Sequence, residues 1–155
     1  PLADLIIQSS VHPFILLVPG GSAHRPEKRW PYFTELAGKL IERGLVPVLI
    51  GAGAEAELLR IIGSSDHRII NLCDRTSFPQ LASLARKAAY AVGNDTGPMH
   101  LIAAAGCPCT VIFNSTASNP ALCAPRGDRV TILTTEDMGE LTADELIQKI
   151  GPQRH

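Results

Sequence analysis

The sequence predicts an α/β chain built on a Rossmann-like, doubly wound parallel sheet. Three observations predict it. Short apolar runs (FILLV at 14–18, VPVLI at 46–50, CTVIF at 109–113) alternate with segments of helical period along the whole chain. The runs are continuous rather than alternating, as suits strands buried on both faces of a parallel sheet. Each run opens into a polar loop, so right-handed crossovers would gather those loops at the carboxyl edge of one sheet.

Each element has its own warrant. After the first strand (14–18), Pro19-Gly20-Gly21 opens a loop carrying His24, Arg25, Lys28 and Arg29. Pro31 then stands at the start of a helix whose core face is Phe33, Leu36, Ala37, Leu40 and Ile41, with Gly44 as its stop. The second strand (46–50) leads into Gly51-Ala52-Gly53 and a helix over 55–62 that faces inward through Leu58, Leu59 and Ile62. A short strand over 68–72 precedes a helix capped by Thr76 or Ser77 and running to 88, with Leu81, Leu84 and Ala85 inside. A strand over 88–92, a glycine-bearing turn over 93–97 and a small-residue helix from 98 come next. The strand 109–113, a polar loop over 114–120, a last strand over 130–133 and a helix capped by Thr142, with Leu146, Ile147 and Ile150 apolar, complete the chain.

The 155 residues suffice for one domain and an ordinary core. We expect that domain over 13–151, with 1–12 a linker or the tail of a preceding segment and 152–155 a tail. Since residue 1 is not Met, the sequence reads as a piece of a longer protein. A net charge of −1 gives no electrostatic support for a nucleic-acid or membrane-surface role, so any phosphate binding rests on local charge. No apolar run approaches the ~20 residues of a membrane span. Cys73, Cys107, Cys109 and Cys123 have no C-x-x-C spacing, and reduced thiols in a cytosolic protein are expected, although Cys107 and Cys109 share a strand face and a dithiol or chelate stays open. No metal site is expected.

The segment AAYAVGNDTGPMHLIAAAGCP (88–108) concentrates chemistry. Gly93 and Gly97 are read as letting the backbone turn, Asp95 or Thr96 as the cap, and Pro98 as a first-turn residue. The product is a helix N-terminus with free amides over 96–99, at a strand's carboxyl end, where such sheets hold a diphosphate. A strand-to-helix corner that binds nothing is the bland alternative. The amide, carboxylate, hydroxyl and imidazole of Asn94, Asp95, Thr96 and His100 argue against it. Lys28 or Arg29 would neutralise the diphosphate; a solvated basic loop is the alternative. Glu55 and Glu57 could accept from ribose hydroxyls or serve as first-turn carboxylates. His100 could reach a phosphate or be a core histidine. No P-loop is present, and Gly51-x-Gly53 lacks the third glycine of a dinucleotide fingerprint because Ala56 stands there, which disfavours an NAD-dependent dehydrogenase.

The stretches VPGGSAHRPEKRWP and GNDTGPMHLIAAAGCPCTVIF resemble the two signature regions of glycosyltransferase family 9, the bacterial ADP-heptose:lipopolysaccharide heptosyltransferases. The resemblance runs from about Pro13 to Gly151. It implies the C-terminal, nucleotide-sugar-binding half of a two-domain GT-B glycosyltransferase. By motif, Ser22 and Lys28 would contact the donor, Lys28 at its diphosphate. Asp95, Thr96 and Gly97 would hold phosphate and sugar, with His100 supporting the turn, Glu55 (or Glu57) on the ribose and Met99 lining the pocket. Lys28 and Asp95 would stabilise the departing nucleotide in an inverting, metal-free and cofactor-free transfer. The general base and the contacts to a glycolipid acceptor would lie in an N-terminal domain that this sequence does not match. ADP-sugar is the favoured donor, and a cytoplasmic location is implied, with the cytoplasmic face of the inner membrane as an option. Asn114 departs from the family, which usually has glycine after that strand. A non-catalytic nucleotide-sugar binding module is the alternative, sharing every feature of this chain.

Overall fold

A computed structural model describes residues 13–21, 29–114 and 129–150. Six parallel strands form one sheet: β1 (Phe14–Val18), β2 (Val46–Leu49), β3 (Ile70–Asn71), β4 (Tyr90–Asn94), β5 (Cys109–Asn114) and β6 (Val130–Thr135). Their order is β3-β2-β1-β4-β5-β6, so the chain winds outward from β1 in one direction and then, after β3, from β4 in the other. The order reverses between β1 and β4, which pair from Ile15↔Tyr90 to Val18↔Gly93. At that point the connections leave toward opposite sides and a crevice opens beyond the carboxyl ends.

Among the described residues five helices cover the faces: α1 (Phe33–Glu42), α2 (Ala56–Gly63), α3 (Phe78–Lys87), α4 (Gly97–Ala104) and α5 (Ala143–Ile150). The alternation of each strand sorts them into two cores. Phe14, Leu16 and Val18 pack with Leu81, Leu84, Met99, Ile102 and Phe113 beneath α3 and α4. Ile15 and Leu17 pack with Trp30, Phe33, Leu36, Leu40, Leu59 and Leu146 beneath α1, α2 and α5. An all-apolar strand is therefore what a two-faced sheet requires of FILLV, every residue of which is buried.

The ends of the elements follow local chemistry. Gly44 closes α1 at φ +77, with its N–H on the Ile41 carbonyl and that of Leu45 on Leu40, a glycine C-cap. Ser77, not Thr76, caps α3: its hydroxyl accepts from the Gln80 amide at 3.3 Å while the Gln80 side chain accepts from the Ser77 amide at 2.8 Å. Thr142 accepts from the Glu145 amide at 3.2 Å, capping α5 as the sequence suggests. β4 and β5 each run on to an asparagine, and the polar Thr134 and Thr135 extend β6 beside β5. The third strand, expected over 68–72, is an edge strand of two residues that pairs with β2 alone.

Cys107 and Cys109 lie in one core as free thiols, and Cys73 is a free, half-buried thiol packed against the other; Cys123 is outside the described residues. Burial pushes the Cys107 thiol up to about 12 and that of Cys109 to about 11, so both stay protonated and inert at neutral pH. No described helix is long and apolar enough to cross a membrane.

Candidate functional site

A cleft of about 270 Å³ opens at the strand-order reversal. Val18, Gly20 and Gly21 form its β1 wall, Asp95, Thr96, Gly97 and Pro98 its β4–α4 wall, and Glu55 closes the β2 side. Five of these eight residues come from the Gly20-Gly21 and Thr96-Gly97-Pro98 turns, which bring backbone rather than bulk to the cavity.

The two turns meet closely. Gly21 has φ +96, and a Cβ there would stand 2.8 Å from the Thr96 methyl. Gly20 faces Glu55: a Cβ on it would lie 2.4 Å from the Glu55 carboxyl carbon. The first glycine thus makes room for the carboxylate and the second for the α4 turn. Glu55 ends a 3₁₀ turn over Gly53–Glu55 and folds back to accept from the Ala52 amide at 3.1 Å. Glu57 points elsewhere, into a solvent-exposed pair with Arg60 at 2.6 Å that holds its carboxyl below the usual range. Of the two acidic candidates the structure brings only Glu55 to the cleft.

On the opposite wall Thr96, not Asp95, is the N-cap of α4, its hydroxyl accepting from the Met99 amide at 3.3 Å. Because Pro98 has no N–H and the Met99 amide is capped, Gly97 alone among the first three helical residues keeps an amide for a ligand. The expected row of free amides over 96–99 is accordingly narrower. Asp95 is left to pair with His100, whose Nε2 lies 3.2 Å from Asp95 Oδ1; both are part-exposed. His100 is therefore no core histidine. It braces the carboxylate from one turn further along the helix.

Three sequence expectations are corrected. Met99 has no exposed surface and sits in the core rather than lining the pocket. Gly93 is a strand residue and does not turn the chain. Its smallness admits Met99 Sδ, which would stand 2.7 Å from an added Cβ, and Val18, at 2.8 Å. Gly97 needs no glycine freedom, as an added Cβ there would meet nothing within 4 Å. Ser22 and Lys28 lie outside the described residues, as do 115–120 of the loop that Asn114 opens. Arg29, the next cation, is half-buried and donates from Nε to the Gly21 carbonyl at 2.5 Å, which ties a positive charge to the β1 wall.

Asn94, counted in the sequence among the polar groups of the turn, was given no partner or role there. It is buried, donates from Nδ2 to the carbonyls of Pro19 (3.0 Å) and Gly20 (3.1 Å), and accepts at Oδ1 from the Trp30 amide (3.2 Å). An amide directly after an apolar strand was the available signal. Among the described residues no three His, Cys, Asp or Glu side chains gather into a group that could hold a metal.

The comparisons with known proteins bear on the family and the fold. The sequence model of glycosyltransferase family 9 (heptosyltransferase) matches residues 4–149. The chain is 31% identical over 145 residues to lipooligosaccharide heptosyltransferase 2 of Haemophilus ducreyi, covering 88% of itself and 41% of that protein. With lipopolysaccharide heptosyltransferase 2 of Escherichia coli the figures are 30% over 132 residues, 81% and 37%. The solved E. coli ADP-heptose lps heptosyltransferase II superposes with a TM-score of 0.83 at 25% identity, over 96% of this chain and 48% of that one. E. coli heptosyltransferase WaaC with ADP gives 0.79 at 23%, a likeness of fold, over 96% and 48%. The chain thus spans less than half the length of the relatives it matches. A parallel sheet reversing at β1/β4, a cleft walled by the two signature turns and a family match over nearly the whole sequence lead to one assignment: this chain belongs to glycosyltransferase family 9, the heptosyltransferase family.

Proposed function

We propose that this chain is the donor-binding half of an inverting GT-B heptosyltransferase of lipopolysaccharide synthesis, and that its cleft takes the diphosphate and ribose of an ADP-sugar. The observation that carries the reading is the cleft itself, which places a helix N-terminus, a glycine turn and the carboxylates of Glu55 and Asp95 around a single cavity at the reversal point. Solved relatives described as bound to ADP and to ADP-2-deoxy-2-fluoro heptose share its fold and favour an adenine nucleotide.

The roles follow from charge. The Gly97 amide and the positive end of α4 meet the phosphates, and Lys28, with Ser22 in the same β1 loop, supplies the cation and polar contact that Arg29 adjoins. Glu55, an acceptor when ionised, takes ribose hydroxyls. Thr96 and the Asp95–His100 pair fix the turn against which the sugar phosphate rests. As the glycosidic bond breaks, negative charge grows on the leaving diphosphate, and donors already aimed there stabilise it without rearrangement. Two carboxylates border the cleft, so the cationic loop is needed to offset them as well as the ligand. The base that deprotonates the acceptor hydroxyl, and the glycolipid contacts, belong to a partner domain at the cytoplasmic face of the inner membrane.

Calorimetric titration with ADP, UDP and NAD, beside a Lys28→Ala variant, tests the reading. Selective ADP binding weakened roughly tenfold or more by the substitution is expected for a lost charge-assisted contact. Preference for NAD would contradict it.

A further inference from the structure

The cleft's walls belong to segments far apart in sequence, and one side chain joins two of them to each other and to the segment at Trp30. Asn94 stands at the end of β4, next to the Asp95–Gly97 turn. Its Nδ2 holds the Pro19 and Gly20 carbonyls, which fixes the start of the β1 turn, and its Oδ1 holds the Trp30 amide. Trp30 in turn is packed edge-on against Phe33 (ring centroids 5.0 Å apart), and its Nε1 donates to the Leu141 carbonyl at 2.6 Å. Tyr32 donates to the Gly139 carbonyl at 2.7 Å. The segment that follows the basic loop is therefore clamped from outside by the 139–141 backbone and from inside by Asn94.

We propose that Asn94 is a positioning residue: its amide sets the spacing between the α4 turn, the Gly20-Gly21 turn and the Arg29–Trp30 segment, and so the width of the phosphate-binding cleft. This rests on the reading of the cleft given above. The chemistry needed is specific. The side chain has to donate twice and accept once in a buried place, and an amide carries both kinds of group. Aspartate has the shape but loses both donors and sets a charge against two carbonyl oxygens. Alanine leaves all three backbone groups to find other partners. Tyr90, at the opposite end of the same strand, makes an equally buried bond, its hydroxyl 2.7 Å from Thr110 Oγ1, yet touches no wall of the cleft. It provides the matched control.

The experiment compares Asn94→Ala, Asn94→Asp and Tyr90→Phe in the full 155-residue chain at a temperature where the unmodified protein is folded. Trp30 is the sole tryptophan, so its emission reports the placement of the segment without any ligand. The proposal expects both Asn94 variants to fold, to emit at longer wavelength and to bind ADP roughly tenfold or more weakly, a loss of the order of one hydrogen bond to a charged group. Tyr90→Phe is expected to keep the emission and, within about twofold, the affinity. Unchanged emission in the Asn94 variants, or shifted emission with unchanged ADP affinity, would overturn it. Failure of both Asn94 variants to fold where Tyr90→Phe folds would assign Asn94 to the fold alone and overturn it equally. If the unmodified chain binds no ADP, the donor reading is what fails, and the emission still decides whether Asn94 braces the segment.

Discussion

Strand β4 carries a buried polar group at each end, and the two have different consequences. At its start Tyr90 bonds Thr110 of the neighbouring strand, side chain to side chain, inside a pair of strands already held by their ladder. At its end Asn94 bonds three backbone groups of two other segments, none of which belongs to a ladder with it. The first bond adds to what the sheet already specifies. The second specifies something the sheet leaves open, namely how the loops beyond the strands sit. Strands fix one another by regular pairing, whereas the crevice past their ends needs individual side chains to hold its shape.

The two ends of β4 are expected to fail differently. Its start lies against the buried thiols, since Ala91 pairs with Cys109. Both thiols have folded-state pKa values raised above their ordinary 9.0, so the stability tied to keeping them neutral is fully present below about 9. It is lost as pH climbs toward 11 and 12. Alkaline titration of unfolding should show this limb, and Cys107→Ala with Cys109→Ala should flatten it. Gly93→Val, which drives a branched side chain into Met99 and Val18, is expected to cost about 3 kcal/mol in denaturant unfolding. Asn94→Ala follows at about 2 kcal/mol, from leaving buried backbone groups unpaired, and adds a loss of ADP affinity. Tyr90→Phe is expected to cost about 1 kcal/mol with affinity unchanged, the contrast in its sharpest form. Smallest of all, Glu57→Gln should leave stability and ADP binding unchanged because its partner Arg60 lies in solvent, while Glu55→Gln weakens ADP alone.

Most of the fold was legible because its signal is periodic. FILLV, VPVLI and CTVIF announce strands buried on both sides, and Gly44, Ser77 and Thr142 sit at ends that the structure confirms as caps. The two signature stretches also led to the right family. What stayed hidden was direction. Glu55 and Glu57 are two residues apart in sequence, and only the 3₁₀ turn after β2 decides that the first faces Gly20 and the second Arg60. Met99 was placed in the cleft by the family motif, but helical geometry rotates it onto the sheet, where Gly93 leaves room for it. Asp95 was an equal candidate for the cap until the hydroxyl of Thr96 took the Met99 amide. Asn94 was legible as a polar group of the turn but not as a brace, because its three partners lie 64 to 75 residues away, and no local pattern announces bonds of that range.

The central claim is that the diphosphate rests where the sheet reverses, between the Gly20-Gly21 turn and the N-terminus of α4. Backbone amide chemical shifts followed through an ADP titration test it most directly. The account predicts saturable shifts concentrated at Gly20, Gly21, Thr96 and Gly97, with Ile70 and Asn71 on the outer edge strand unmoved. Saturable shifts centred on that edge, or on β6, with the two turns silent, would contradict it.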